Sequence, residues 1–202
     1  MISGSLFVFL DILFFMNKII LGFDISSSTI GYCVLSVDLS TKHITFVKSG
    51  FVKPTKKGNI VERLADTRKA ISNIIENVKP DYIGIEDLIK FMPKSTATAV
   101  VMLTTFNRMI CLTCYDYLKK SPELFNVMSI RHGIKKEKTL PKKEDIPELV
   151  AYHLDIKFPY VTTNRGKVKN SIKSESYDVA DGCAVALYYA FILIGKIKGK
   201  VT

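Results

Sequence analysis

The sequence predicts an α/β domain with a mixed five-stranded sheet, in which three antiparallel strands are followed by two parallel strands, flanked by helices. Two observations indicate this class. The chain has 202 residues, of which 48% are hydrophobic, so it can bury the core of one domain. Runs rich in β-branched residues come first along the chain, and amphipathic helical patterns separate the later runs.

Apolar spacing defines the individual elements. Strand patterns cover residues 19–23, 32–37, 44–53, 83–86 and 124–130. Helical patterns cover residues 59–78, 97–119 and 143–154, and a last helix begins near residue 174. Ser174 or Ser176 can serve as the N-cap of that last helix.

Residues 1–16 form a hydrophobic N-terminal extension whose status the sequence leaves open. Asp11 interrupts the apolar run, which is too short to span a bilayer and lacks the basic start of a secretory signal. The segment is either an upstream or adhesive extension, with the folded unit starting near Met16, or an additional packed element. Residues 17–202 are predicted to form a single domain.

Two of the predicted strands end in a carboxylate. The pattern apolar, Gly, apolar, acid occurs in residues 21–24, which end at Asp24, and again in residues 83–86, which end at Glu86. With the two-residue period of a strand, each acid shares a face with the glycine two positions earlier, whereas Asp87 points to the opposite face. Alone, Asp24 is also compatible with an ordinary Asx turn. The repetition favours two acids that meet at one edge of the sheet.

The last predicted helix carries two further acids. Asp178 and Asp181 are three residues apart and therefore share a face of its first turns. Alone, they are equally compatible with acids that complement the positive end of a helix dipole. The small residues Ala180 and Gly182 keep the helix thin enough to lie against a sheet. Four converging carboxylates repel one another unless divalent cations lie between them, so together they predict a metal site.

The charge balance indicates a polyanionic partner. The formal net charge is +10, and nucleic acid is favoured over a membrane surface because no basic amphipathic helix stands out. The four cysteines form no disulfide framework. Cys111 and Cys114 have metal-ligand spacing but lie in an apolar helical pattern, so core packing is the better interpretation.

The motifs resemble one known family. The spacing of the four acids, with Asp-Val-Ala-Asp-Gly-Cys-Ala-Val-Ala-Leu at residues 178–187, resembles RuvC-type Holliday junction resolvases of the ribonuclease H-like superfamily. The loop that contains Phe91 resembles the segment in which that family carries an aromatic wedge. The chain departs from the family after Asp24, where Ile25 and Ser26 replace the usual Pro-Gly or Gly.

The resemblance implies a function for each motif. Asp24, Glu86, Asp178 and Asp181 are expected to bind two Mg²⁺ ions, for which Mn²⁺ can substitute, and to catalyse phosphodiester hydrolysis in four-way DNA junctions. The expected DNA-binding residues are Phe91, Lys94, Arg131, Lys135, Lys136, Lys142, Lys143, Arg165 and Lys173.

The resemblance also implies a homodimer that uses the helix at residues 97–119. We further expect a cytoplasmic or other intracellular compartment that contains DNA, and no membrane partner. Two alternatives remain at this point. The first is another ribonuclease H-like nuclease, for example one that acts on RNA. The second is a non-catalytic junction-binding protein.

Overall fold

The computed structural model describes residues 17–88, 96–160, 162–163 and 171–198. The predicted extension at residues 1–16 lies outside these ranges, so its status stays a prediction. The strands are β1 (Asn17–Ile25), β2 (Ile30–Asp38), β3 (His43–Val52), β4 (Tyr82–Glu86) and β5 (Glu123–Phe125), with a short pair β6 (Thr162–Thr163) and β7 (Ser171–Ile172). The helices are α1 (Ile60–Val78), α2 (Ala97–Leu118), α3 (Val127–Ile134), α4 (Ile146–Leu154) and α5 (Glu175–Leu193).

The main sheet has the order β3-β2-β1-β4-β5. β1, β2 and β3 form an antiparallel meander, whereas β4 is parallel to β1 and β5 is parallel to β4. The predicted fold class, three antiparallel strands followed by two parallel strands with flanking helices, is therefore confirmed. Because β1, β4 and β5 run in the same direction, their carboxyl ends lie at one edge of the sheet.

The prediction of a strand over residues 124–130 is wrong beyond its first residues. β5 ends at Phe125, and the helix α3 follows at once. The Asn126 side chain caps this helix by accepting a hydrogen bond from the Met128 amide. Ile130 and Ile134 are both buried, and their spacing of four residues is typical of a helix. A short apolar run does not by itself distinguish a helix from a strand.

Two other helix boundaries differ from the prediction. The helix expected over residues 143–154 is a 3-10 turn at Lys143–Asp145 followed by α4. Ser174 occupies the N-cap position of α5, but its side chain makes no capping bond. Ser176 lies within the helix and is buried. Neither serine therefore caps α5 in the expected way.

The sheet separates two hydrophobic clusters. One face packs against α3, α4 and α5 and includes Cys33, Leu35 and Cys183. The opposite face packs against α1 and α2 and includes Phe23, Ile75 and Cys114. All four cysteines are free thiols, and three of them are buried, which confirms that they contribute to packing. The α5 face is also the face that carries the candidate site.

α5 contacts the centre of the sheet through backbone. A β-carbon at Gly22 would lie 2.5 Å from the Ala186 amide nitrogen, and one at Gly31 would collide with the Asp178 carbonyl oxygen. Since real side chains do not fit at such distances, glycine is required at both positions if α5 keeps its place. This contact fixes the height of α5 above β1 and β2.

Among the described helices, α2 is long and apolar enough to cross a membrane by length and composition, with a mean hydropathy of 1.4. A helix of a soluble core meets the same criterion, and α2 packs against α1 and also contacts β1 and β4. The expected lack of a membrane partner stays a prediction.

Candidate active site

Two of the four predicted acids stand side by side at the end of neighbouring parallel strands. The β1–β4 register pairs Gly22 with Gly84 and Phe23 with Ile85, so Asp24 and Glu86 are the next residues in line. Adjacent strands are about 4.8 Å apart, which brings the two carboxylates within direct electrostatic range. Both side chains are partly buried.

α5 supplies the other two acids. Asp178 lies in its first turn and Asp181 one turn later, and Asp181 is only 8% exposed. The contact of the Asp178 carbonyl with Gly31 holds this turn against β2, beside the end of β1. The structure therefore brings together all four acids that the sequence singles out, from β1, β4 and α5.

A lysine lies among these acids. The Lys143 ammonium Nζ is 3.1 Å from Asp181 Oδ2 and 3.4 Å from Asp178 Oδ1. Burial lowers the pKa of Lys143, but the carboxylates of Asp181, Asp24 and Asp178 outweigh burial and raise this pKa to about 12. Lys143 is therefore a fixed positive charge within the cluster.

One lysine does not neutralise the cluster. Burial, and then the charges of Glu86 and Asp181, raise the pKa of Asp24 well above its usual value. Burial and the charge of Asp181 raise the pKa of Glu86 to about 7, although Arg131 and Lys143 oppose this effect. Burial also raises the pKa of Asp181. Burial and mutual repulsion thus both disfavour the charged forms of these acids, and Lys143 and Arg131 offset this only in part. An added cation would favour the ionised carboxylates.

The donor set suits a hard divalent cation. Mg²⁺ and Mn²⁺ take carboxylate oxygens and keep several waters, so a few acids from different elements can hold them. Within the described ranges, no group of three His, Cys, Asp or Glu side chains is already gathered tightly enough to hold a metal ion. Lys143 lies between the carboxylates instead, so a cation held by Asp178 and Asp181 would replace part of its contacts.

Asp87 provides an internal contrast. Its side chain accepts a hydrogen bond from the Leu88 amide at 2.8 Å and lies 3.8 Å from an Arg108 nitrogen on α2. It therefore points to the α2 side of the sheet, as the strand period predicts, while Glu86 faces the cluster. The two adjacent acids have different surroundings.

The predicted DNA-binding residues do not all lie at the acid cluster. Arg131 on α3 acts electrostatically on both Glu86 and Asp181, and Lys143 lies in the cluster. Lys173 lies two residues before α5. Phe91, Lys94 and Arg165 lie outside the described residues.

The remaining predicted lysines have their described contacts elsewhere. Lys135 and Lys136 line a cavity of about 440 Å³ beside α4, where the Lys136 ammonium is 4.1 Å from the Tyr152 ring centre. Lys142 is exposed, and its amide donates to Asp145 Oδ2 at 2.8 Å. Lys136 and Lys142 are exposed and Lys135 is partly buried, and none of the contacts described for these three lysines is with the four acids.

One contact at the site has no signal in the sequence. The Lys53 ammonium, just after β3, forms an ion pair with Glu175 in the first turn of α5. The two residues are 122 positions apart, so no local pattern links them. Lys53 was not predicted as a site residue.

Solved structures of junction resolvases share this fold. The Thermus thermophilus RuvC structure in complex with a Holliday junction substrate matches 87% of this chain and 94% of its own, with a TM-score of 0.64 at 14% identity. The yeast mitochondrial Holliday junction resolvase Ydc2 matches with a TM-score of 0.58 at 15% identity, over 85% of this chain and 77% of its own. At these identities the likeness establishes the architecture, which is the ribonuclease H-like fold of Holliday junction resolvases.

Sequence comparison gives the family. Residues 20–131, more than half of the chain, match the family described as crossover junction endodeoxyribonuclease RuvC, and the chain belongs to that family. The Ehrlichia ruminantium protein of that name is 26% identical over 182 residues, which cover 85% of this chain and 96% of the relative. The Pseudothermotoga lettingae protein is 37% identical over 82 residues, but the match spans 41% of this chain and only about half, 48%, of the relative.

Proposed function

We propose that this chain is a structure-selective endodeoxyribonuclease that resolves four-way Holliday junctions by metal-dependent hydrolysis of phosphodiester bonds. One observation carries the proposal. Asp24, Glu86, Asp178 and Asp181 converge from three elements at one edge of the sheet, on a chain with a formal net charge of +10. A polyanion and a cluster of acids are compatible at one site only when cations join them.

The proposed cofactor is a pair of Mg²⁺ ions, for which Mn²⁺ can substitute. Asp24 interacts electrostatically with the acid from β4 and with both acids from α5, so it would be the residue best placed to help hold both ions. When bound, two such ions supply activation of a water and stabilisation of the leaving oxygen in an in-line displacement. The carboxylates would hold the ions. Because the nucleophile would be a water, the proposed reaction needs no nucleophilic side chain.

Two basic residues complete the proposed site. The charges of Lys143 and Arg131 both act on Glu86 and Asp181. In the described structure, the buried Nε of Arg131 has no hydrogen-bond partner. We expect Lys143 and Arg131 to contact the phosphate that is cut, while Lys135, Lys136, Lys142 and Lys173 hold the flanking DNA backbone. Such contacts give salt-dependent affinity without sequence preference.

The proposed oligomer is a homodimer that pairs α2 with its copy. Val101, Leu112 and Tyr115 on α2 are 63%, 57% and 48% exposed. Their spacing of eleven and three residues places them on one side of the helix. An apolar stripe of this kind, on the face of α2 that turns away from the sheet, suits a second copy of the same chain, and two copies match the two cuts that a four-way junction needs.

The proposal places the protein in an intracellular compartment that contains DNA, with roles in recombination and repair. RuvC-family proteins process DNA, which supports this location without specifying the compartment. The wedge role of Phe91 and the DNA contacts of Lys94 and Arg165 remain part of the proposal, since these residues lie outside the described ranges.

Cleavage of a synthetic four-way DNA junction with Mg²⁺ tests the proposed function. The wild-type protein should make paired nicks, and Asp24→Asn should bind the junction without cutting it. Linear duplex DNA and RNA of matched length are the controls. Binding without cutting by the wild type, in Mn²⁺ as well, would support a non-catalytic junction-binding protein, and equal cutting of duplex DNA or RNA would indicate another nuclease on this fold.

A further inference from the structure

The first turn of α5, like that of α4, lacks the side-chain cap with which three other described helices begin. Asn59, Thr96 and Asn126 cap α1, α2 and α3 through their side chains. Ser174, at the same position of α5, has helical backbone angles and makes no side-chain capping bond. Its hydroxyl donates instead to Glu175 Oε2 at 3.2 Å. The helix that carries two of the four acids is thus left to be fixed by tertiary contacts.

Lys53 supplies such a contact. Its ammonium pairs with Glu175 Oε1, and the Glu175 side chain is only 10% exposed, whereas that of Lys53 is 55% exposed. A buried carboxylate requires a partner, so Glu175 is held to the end of β3. The hydrogen bonds from Lys53 and the Glu175 backbone also lower the pKa of Glu175. The ion pair therefore joins the third strand of the sheet to the start of α5.

The position of this pair relates it to the acids. Asp178 is three residues after Glu175 in the same first turn of α5, and its carbonyl lies against Gly31 on β2. The Lys53–Glu175 pair and the Gly31 contact therefore hold the two ends of the same turn. A rotation of this turn that moved Asp178 away from Asp24 would also displace Glu175 relative to Lys53.

We propose that Lys53 and Glu175 are positioning residues that set the metal affinity of the site by fixing Asp178 and Asp181 opposite Asp24 and Glu86. The inference rests on the proposed metal-dependent function of the acid cluster. It assigns a role to two residues that do not themselves belong to the cluster. Loss of residues that orient metal ligands typically lowers metal affinity by about 10- to 100-fold.

The test is Mn²⁺ binding to the DNA-free protein, measured by titration calorimetry. Lys53→Met and Glu175→Gln should each weaken binding by about 10-fold, and the double variant should be no weaker than either single variant. Lys53→Arg should restore most of the affinity. Thermal unfolding scans establish that each variant is folded at the temperature of the titration. The matched control is Lys18→Met, which breaks the Lys18–Asp81 ion pair of 3.3 Å at the opposite edge of the sheet and should leave Mn²⁺ binding unchanged.

Three results would overturn the inference. Unchanged Mn²⁺ affinity in Lys53→Met contradicts it directly, and so does an additive loss in the double variant. Weaker junction binding by Lys53→Met, with normal Mn²⁺ affinity and no matching change in Glu175→Gln, would make Lys53 a phosphate contact instead. These titrations contain no DNA, so they decide this inference independently of cleavage. If the wild-type protein bound Mn²⁺ but cut no junction, the proposed function would be rejected, and the same titrations would still test the roles of Lys53 and Glu175.

Discussion

The two faces of the central sheet are built differently. On the α5 face, backbone touches backbone at Gly22 and Gly31, and four acids lie at the edge of that contact. On the α1 and α2 face, branched and aromatic side chains such as Phe23, Ile75 and Phe106 fill the space. Side-chain packing can adjust to small changes, whereas a glycine contact cannot. The position of α5 on the sheet is therefore fixed most tightly on the face where the chemistry is proposed to occur.

The largest expected effect comes from placing a side chain between α5 and β2. Gly31→Val should destabilise the protein by about 3 kcal/mol, at the upper end of overpacking effects, because the new side chain meets the Asp178 carbonyl. Urea unfolding measures this change, and junction cleavage should be lost in the fraction that remains folded. A variant with normal stability and activity would show that α5 can lift without consequence.

Titration of Glu86, on the α5 face, should make the free energy of unfolding depend on pH. The pKa of Glu86 is raised from 4.5 to about 7 in the folded protein, so the folded state binds this proton more tightly than the unfolded state. The free energy of unfolding of the metal-free protein therefore falls as the pH rises from about 4.5 to 7 and does not recover above that.

Glu86→Gln should remove this loss. In EDTA, the variant should exceed the wild type by on the order of 2 kcal/mol at pH 8 and by little at pH 5. Urea unfolding at the two pH values measures the difference. An equal difference in the free energy of unfolding at both pH values would mean that the pKa of Glu86 is not raised in the folded protein.

On the α1 and α2 face, a small change in side-chain volume should leave the activity unchanged. Ile75→Val on α1 removes one methyl group from a fully buried side chain and should cost about 1 kcal/mol. Cleavage of a four-way junction should stay at the wild-type rate, measured well below the unfolding temperature. A large loss of cleavage with this small loss of stability would show that the α1 face also controls the acids.

The smallest effect on stability is expected on the outer stripe of α2. Leu112→Glu, at a 57% exposed position, should change the free energy of unfolding by no more than about 0.5 kcal/mol. It should nevertheless convert the proposed dimer to a monomer in light scattering. Val47→Glu, at a 49% exposed position on β3, is the matched control and should leave the oligomeric state unchanged. A monomeric wild type would reject the proposed α2 interface.

Sequence patterns predicted the parts of this architecture that depend on local periodicity. The repeated glycine and acid of β1 and β4 defined both the strands and the side to which Asp24 and Glu86 point, because a strand alternates every two residues. The predicted split between Glu86 and Asp87 follows from the same rule. α3 was missed because its apolar residues over 127–130 are too short a run to distinguish a helix from a strand.

Contacts between distant segments could not be predicted in the same way. Lys143 lies in a lysine-rich segment without periodicity, so its place between Asp178 and Asp181 emerges only from the fold. The Lys53–Glu175 pair joins residues from opposite ends of the chain. Both contacts depend on the tertiary packing of α5 against the sheet, which local sequence propensity does not predict.

Glu86 and Asp87 allow the most direct test, since they are adjacent acids on opposite faces of the sheet. The decisive measurement is the rate of four-way junction cleavage in Mg²⁺ by Glu86→Gln and Asp87→Asn, with junction binding measured in parallel. Glu86→Gln should lose at least about 10²-fold in rate, since a metal ligand supports several kcal/mol of transition-state stabilisation, while Asp87→Asn stays near wild type. Normal cleavage by Glu86→Gln, or loss only in Asp87→Asn, would contradict the assignment of the active site to the α5 face.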